Sequence, residues 1–258
     1  MTALSRDELR RHLVATRIAG DVATSRASNI ANIQKMLDRK WDYWFGLELD
    51  RDWTPEDVLK VLADRVGMDA DPARSTGADT IDPDRTLDAL DDAAALITTA
   101  VANKSRVLVA TGHPTGVLSL HLAVAKTLGQ LGCEVMTPAA GAFVHAEHLP
   151  MGARIHYLGG VAMLTNGADL LHTHAAEPMQ HALDVGARPD LVIADHGWAG
   201  AAGQAGITTI GLADTNDPAM FVGAEEGKVA VAVPLDDNVP PVAYEPLASY
   251  LLRQVRPT

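Results

Sequence analysis

The chain has 258 residues, 47% of them hydrophobic, and its 33 acidic and 21 basic residues give a formal net charge of −12. A nucleic-acid-binding surface needs clustered Lys and Arg, and the sequence has no dense basic run, so nucleic acid is excluded as a partner. No apolar run reaches the roughly 18–20 residues of a membrane span, and the charged first 20 residues do not resemble a signal peptide. The single cysteine, Cys133, cannot form an internal disulfide. We therefore expect a cytoplasmic protein without membrane contact.

The first hundred residues have the periodicity and the end signals of helices. Ser and Thr N-caps, a Pro at a first helical position and Gly stops mark their limits. The predicted helices are residues 5–20, 28–45, 54–67 and 83–103. We predict a helical N-terminal region, residues 1–103, packed on the rest of the chain. The aromatic segment Trp41–Phe45 lies either in the seam between helices and sheet or in the interface of a homo-oligomer.

The hydrophobic pattern changes after residue 103. Short apolar runs, rich in β-branched residues, now alternate with helical segments. The predicted strands are residues 106–111, 134–138, 153–159, 190–195, 207–214 and 228–235. Continuous apolar strands between helices are typical of a parallel sheet with both faces covered. We therefore predict an α/β fold in which residues 104–258 form a Rossmann-like core, with a mostly parallel sheet and helices on both faces.

Five apolar segments of this core are each followed by His, Asp or Asn. In order they are His113; His172 and His174; Asp195 and His196; Asp214, Asn216 and Asp217; and Asp236, Asp237 and Asn238. Any one of these residues could be an ordinary turn residue. Ligands of open α/β sheets, however, bind beyond the carboxyl ends of the strands. We expect all five groups to converge in one pocket at that edge.

Several imidazoles and carboxylates at one edge suit a divalent cation. Imidazole binds Zn and Fe well, carboxylates suit Mg and Mn, and mixed His/Asp sites activate water or bind phosphate. A metal-free pair, with one His as base and an Asp that orients it, is the alternative. Metal is favoured because the candidate residues outnumber what an acid–base pair requires.

The turn "TGHPTG" is a candidate phosphate site, since it joins a strand to a helix and contains Gly112, Thr115 and Gly116. Backbone N–H groups and the helix dipole bind anions at such turns. The turn matches neither the P-loop motif nor G-x-G-x-x-G, so the prediction rests on the position of the turn between a strand and a helix.

The segments "ATGHPTG", "HTHAAEPM", "ADHGWAGAAG" and "DTNDPA" occur in this order, and together they resemble an actinobacterial family of phosphatases over about residues 106–245. The resemblance implies a metal-assisted phosphomonoesterase that acts on a small metabolite. It rests on these positions: His113, His172, His174, Asp195, His196, Asp214, Asn216 and Asp217. It does not say which of them bind metal.

The leading hypothesis is a metal-dependent phosphohydrolase for a small phosphate ester, such as a nucleoside or sugar phosphate. We assign the metal ligands to His172, His174, Asp195 and Asp214. Catalysis is assigned to His113, His196 and Asp217, with one of the two histidines protonating the leaving oxygen or orienting water. Phosphate binding is assigned to Gly112, Thr115, Gly116 and Asn216. Asn216, Asp217 and Asp236 are also candidates for supporting these ligands or for binding a second metal.

Two other functions remain open at this point. One is a lyase, isomerase or cyclase acting on a phosphorylated or carboxylated metabolite at the same edge. The other is a non-enzymatic module that binds a metabolite there. A phosphatase must release inorganic phosphate, whereas a binding module has no turnover.

Overall fold

A computed structural model of the chain describes residues 4–186 and 188–255. The protein is an α/β protein, as predicted, with a mostly parallel central sheet flanked by helices. The division at residue 103/104 stays a prediction, and the outer limits given for its two parts, residues 1 and 258, lie outside the described residues. None of the helices in the described ranges has both the length and the apolar character that crossing a membrane requires.

Residues 4–103 begin with helices, but they also contain a small antiparallel sheet that the sequence pattern did not predict. Their elements are α1 (Arg6–Ala15), β1 (Gly20–Ser25), α2 (Arg26–Leu37), α3 (Trp41–Trp44), α4 (Pro55–Val66), β2 (Ala78–Ile81) and α5 (Pro83–Ala102). The predicted helix 5–20 ends early, and β1 starts at Gly20, where φ is +78°. The predicted helix 28–45 is broken between α2 and α3. At the end of α3, Phe45 adopts a left-handed conformation with φ +57°.

The rest of the chain forms an eight-stranded sheet and its helices. The elements are β3 (Arg106–Ala110), α6 (Leu118–Gln130), β4 (Glu134–Val135), β5 (Arg154–Leu158), β6 (Val161–Thr165), β7 (Leu170–Leu171), α7 (Glu177–Asp184), β8 (Leu191–Asp195), α8 (His196–Gln204), β9 (Thr208–Ala213), α9 (Pro218–Glu225), β10 (Val231–Pro234), a 3-10 turn (Pro241–Tyr244) and α10 (Glu245–Gln254). Strand β6 and helix α9 were not predicted, whereas β7 lies in the apolar segment that was expected to end just before His172. The main strand order is β10-β9-β8-β3-β6-β5, and only β5 and β7 run antiparallel to their neighbour β6.

Helices α5, α6 and α10 contact one another or the sheet, and α7, α8 and α9 form a second connected group. Strands β3, β6, β8 and β9 are buried almost throughout, which explains their continuous apolar sequences. Apolar burial therefore fixes the strands in the centre of the molecule, and the residues that follow β3, β8, β9 and β10 emerge at one edge.

Candidate active site

The residues after β3, β8, β9 and β10 meet at the carboxyl edge of the sheet. Between them they contribute His113, Asp195, His196, Asp214, Asp217, Asp236 and Asp237, all less than 9% exposed. Parallel pairing of the four strands brings their ends to the same level. The structure thus brings together the side chains that the sequence separates by more than a hundred residues.

His172 and His174 reach the same edge by another route. One side of β6 pairs with β5 along its whole length, so β3 and β7 share the other side. Strand β7 therefore runs back toward the end of β3, and the N–H of Thr173 donates to the Gly112 carbonyl. A Cβ on Gly112 would collide with the Thr173 carbonyl oxygen. This glycine is required because the two backbones cross in close contact.

Four imidazole rings cluster at this edge, partly stacked and partly tilted against one another, and we call them the histidine quartet: His113, His172, His174 and His196. The ring centroids of His113 and His172 are 4.5 Å apart, and those of His174 and His196 are 4.3 Å apart. The Nε2 atoms of His172 and His174 lie 3.2 Å from each other. The Phe45 ring packs edge-on against His174 and His196, so an apolar wall holds two members in place.

Two members of the quartet are held neutral. The Nδ1–H of His174 donates to the Asp42 carbonyl at 2.6 Å, which leaves the lone pair on Nε2. Burial lowers the pKa of His174 to about 3 and that of His172 to about 4, and the charge of His196 contributes to both shifts. Neutral imidazoles with a fixed tautomer are the form in which histidine binds a metal.

His196 connects the quartet to carboxylates on both sides. Its Nδ1 lies 3.1 Å from Asp195 Oδ1, and its Nε2 lies 3.4 Å from Asp237 and 3.7 Å from Asp217. Its backbone has φ +45° at the start of α8, a strained conformation for a residue with a side chain. Burial alone would lower the pKa of His196, but Asp217 and Asp195 outweigh it and raise the pKa to about 10.

Asp195 has both carboxylate oxygens occupied by donors from the protein. The Thr111 hydroxyl donates to Oδ2 at 2.5 Å, and the Gly112 N–H donates to Oδ1 at 2.6 Å. His121, in α6, is fully buried with Nε2 at 3.9 Å from the same carboxylate. Burial would raise the pKa of Asp195, but the hydrogen bond and charge of His196 hold it far below its ordinary value. Asp195 therefore stays ionised and fixes His196.

Asp214, Asp217, Asp236 and Asp237 form what we call the acidic cluster. The Thr24 hydroxyl, from β1, donates to Asp214 at 2.7 Å, and the Ala23 N–H donates to Asp236 at 3.3 Å. Burial and neighbouring carboxylates raise the pKa of Asp214 well above its ordinary value, and burial raises that of Asp217 to about 7. The buried carboxylates repel one another.

The donor atoms fall into three overlapping groups that could each hold a metal ion. The groups are His113, His172 and His196; His196, Asp217 and Asp237; and Asp214, Asp236 and Asp237. Within each group the ligand atoms lie within 4.8 Å of one another. Asp237 belongs to two groups, and it was given no role in the sequence-based assignment. A second Asp directly after Asp236 looked like part of a solvated turn, and only the fold shows that it is buried.

The residues present fit a divalent cation. Across residues 4–186 and 188–255, no Lys or Arg lies within 4 Å of Asp195 or the acidic cluster, whose ion-pair partners are histidines. His113 Nδ1 and Asp217 Oδ1 are buried without a hydrogen-bond partner. Buried carboxylates normally have a cationic partner or a metal, and mixed oxygen and imidazole donors suit Mn, Zn, Fe or Mg.

The turn assigned to phosphate binding uses its polar groups internally. The Gly112 N–H donates to Asp195, and the Thr115 N–H donates to the His113 carbonyl. A Cβ on Gly116 would collide with the Asp237 carbonyl oxygen. The carbonyl of Asn216 accepts a hydrogen bond from the Asn32 side chain at 3.2 Å. The glycines of this turn permit close backbone crossings, and four of its N–H groups, those of Thr111, Gly112, His113 and Thr115, are already paired.

Comparison with known proteins identifies the family of the chain. A family model described as "Phosphatase" matches residues 4–257. The chain is also 45% identical over 257 residues to "Phosphatase SCO2771" of Streptomyces coelicolor, covering 97% of this chain and 96% of that protein. The chain belongs to the Phosphatase family, and it is a phosphatase-type hydrolase. The family resemblance inferred from the motifs is confirmed, and neither match supports a lyase or a non-enzymatic binding module.

Proposed function

We propose that the protein is a metal-dependent phosphomonoesterase acting on a small phosphorylated metabolite. One observation carries the metal dependence: the carboxylates of the acidic cluster are buried together, and in the described ranges only histidines, and no Lys or Arg, lie within ion-pair distance of them. A phosphate ester is itself an anion, so its approach to these carboxylates needs a compensating positive charge.

We assign the cation ligands to the neutral His172 and His174 and to the carboxylates of Asp214, Asp236 and Asp237. Asp195 was a sequence-based candidate ligand, and we now assign it to positioning because its oxygens already accept hydrogen bonds from Thr111 and Gly112. Bound divalent cations would supply positive charge for the phosphoryl oxygens and lower the pKa of a water molecule that they hold.

The remaining side chains supply proton transfers. His113 is our candidate general acid for the leaving oxygen, because it stacks on His172, which is exposed, and Asp237 stabilises its protonated ring at 3.4 Å. Asp217 is our candidate acceptor for the proton of the attacking water, since its Oδ1 has no other partner. His196 contacts both Asp217 and Asp237, and so fixes their distances from the other three members of the histidine quartet.

The test is phosphate release from a panel of small phosphate esters after chelator treatment and add-back of Mg, Mn, Zn or Fe. We expect activity to be lost with chelator and restored by at least one cation. His172→Ala should abolish turnover of a folded protein, whereas His181→Ala, outside the site on α7, serves as the matched histidine control. Full activity in chelator-treated protein would refute the metal dependence.

A further inference from the structure

A second compartment adjoins the catalytic edge. It is a pocket of about 300 Å³ lined by Trp41, Asp42, His148, Leu149, Pro150, Leu171, His172, Thr173 and His174. Most of its lining residues are apolar or aromatic, in contrast to the acidic cluster. Its volume is at the lower end of the range for small-molecule sites. We call it the aromatic pocket.

The wall of the aromatic pocket is a stacked pair of rings. The Trp41 indole and the His148 imidazole have centroids 3.8 Å apart and planes inclined by 18°. His148 Nε2 lies 3.4 Å from Glu177 Oε2, and no hydrogen bond joins the two groups. Trp41 nevertheless remains 43% exposed. The sequence-based interpretation placed the aromatic segment Trp41–Phe45 in a seam or an interface; Phe45 is buried and Trp41 lines this pocket, while the interface alternative stays a prediction.

The aromatic pocket is continuous with the catalytic edge. His172 and His174 line the pocket and also belong to the histidine quartet. Asp42, next to Trp41 in α3, accepts the hydrogen bond that fixes the His174 tautomer. A ligand that occupies the pocket therefore contacts the same imidazoles that face the acidic cluster.

We propose that the aromatic pocket binds a flat aromatic ring carried by the alcohol part of the phosphate ester, and that Trp41 determines this specificity. The inference rests on the proposed phosphomonoesterase function, and it names the substrate class. The indole stacked on the His148 imidazole offers a planar surface, and aromatic rings gain attraction from offset stacking. Leu149, Pro150 and Leu171 give little hydrogen bonding to the hydroxyls of a simple sugar phosphate.

The test compares benzyl phosphate with cyclohexylmethyl phosphate, two primary alkyl esters of similar size that differ in ring planarity. Stacking is worth roughly a two- to tenfold preference, so the wild-type protein should favour the benzyl ester in kcat/KM by about that factor. Trp41→Leu should reduce the ratio to near one, whereas Trp41→Phe should retain part of the preference. Phe143→Leu is the matched control, since this exposed aromatic also stacks on a histidine but lies outside the aromatic pocket.

Calorimetric binding of benzylphosphonate and cyclohexylmethylphosphonate, which cannot be hydrolysed, separates the two proposals. If no ester is hydrolysed but the phosphonates show the preference and Trp41→Leu removes it, the catalytic proposal fails and the pocket assignment stands. An equal affinity for both phosphonates, or a preference unchanged in Trp41→Leu, would overturn the assignment. A change of oligomeric state in Trp41→Leu with the preference unchanged would identify a subunit interface instead and would also overturn it.

Discussion

The surroundings of Arg26 and the acidic cluster both contain buried charged side chains, but the buried charge is balanced differently in the two places. In the N-terminal region Arg26 and Asp79 are fully buried 3.5 Å apart, and Asp79 also accepts hydrogen bonds from Asn29 and Arg74. Arg26 in turn donates to the Arg74 and Asp71 carbonyls. The two buried charges, Arg26 and Asp79, are thus paired with opposite charge from the protein itself.

The acidic cluster has no guanidinium or ammonium partner among the described residues, and its ion-pair partners, His113 and His196, reach only Asp217 and Asp237. Its carboxylates face one another and the histidine quartet, and the pKa values of Asp214, Asp217 and Asp236 are raised by burial. At the Arg26–Asp79 pair, where the role is structural, a guanidinium offsets the free-energy cost of burying a carboxylate. At the ends of the strands, much of the free-energy cost of burying the carboxylates remains, as expected of a site that binds an external cation. The predictions below test this difference.

The largest effect is expected from Asp237→Asn. This change removes the carboxylate shared by two of the candidate metal groups, so phosphate release should fall by about a thousandfold. Steady-state kinetics at saturating cation measures the loss. Asp190→Asn is the matched control, because Asp190 pairs with Arg106 on the surface; it should keep nearly full activity. Equal losses in both variants would contradict the assignment.

Arg26→Met should have the next largest effect, and on stability instead of catalysis. Removing one partner of a buried ion pair costs about 3–5 kcal/mol in free energy of unfolding, although Arg74 and Asn29 still contact Asp79 and favour the lower end. Urea unfolding monitored by circular dichroism gives the value. The affinity of the folded protein for a divalent cation should stay unchanged, and a large loss of that affinity would show that the two regions are not independent.

Asp217→Asn should stabilise the metal-free protein by about 1 kcal/mol, because it removes a repelled carboxylate from a functional site. The folded pKa of Asp217, about 7, lies above its ordinary value of 3.8. The wild type therefore loses this part of its stability as the pH rises through that interval. Thermal unfolding at about pH 5 and about pH 8 should show the advantage of the variant growing with pH. A variant less stable than the wild type at pH 8 would contradict the claim that the buried Asp217 carboxylate destabilises the metal-free protein.

The smallest effect is expected from Thr24→Val. Among the hydrogen bonds of the described residues, only the one from the Thr24 hydroxyl joins β1 to Asp214. Loss of this bond costs about 1 kcal/mol or less in free energy. Cation affinity should fall by a few-fold, measured by fluorescence-detected titration. Thr80→Val, on the partner strand β2 and bonded to the Gly67 carbonyl, is the control and should not change it.

The sequence predicted the core of the fold because burial on both faces makes β3, β8 and β9 continuous apolar runs. It also predicted that His113, Asp195, His196, Asp214 and Asp217 would meet, since the carboxyl ends of parallel strands share an edge. The convergence of the candidate residues follows from this rule, whereas their individual roles stay proposals.

Other features depend on contacts that a sequence pattern does not contain. Strands β1 and β2 are short and far apart along the chain, so nothing local indicated their pairing. The glycines at 112 and 116 looked like a phosphate turn, yet they serve backbone crossings with Thr173 and Asp237. Tryptophan is more often a core residue than a binding surface, yet the Trp41 ring is 43% exposed and lines the aromatic pocket.

The central claim is that the acidic cluster and the histidine quartet hold a divalent cation. Equilibrium dialysis of chelator-treated protein against Mn²⁺ or Zn²⁺, with metal counted per chain, tests it most directly. We expect at least one tightly bound cation per wild-type chain and substantially less bound cation in Asp237→Asn, whereas Asp190→Asn should bind as much as the wild type. Wild-type protein that binds no cation above the level of Asp237→Asn would contradict it.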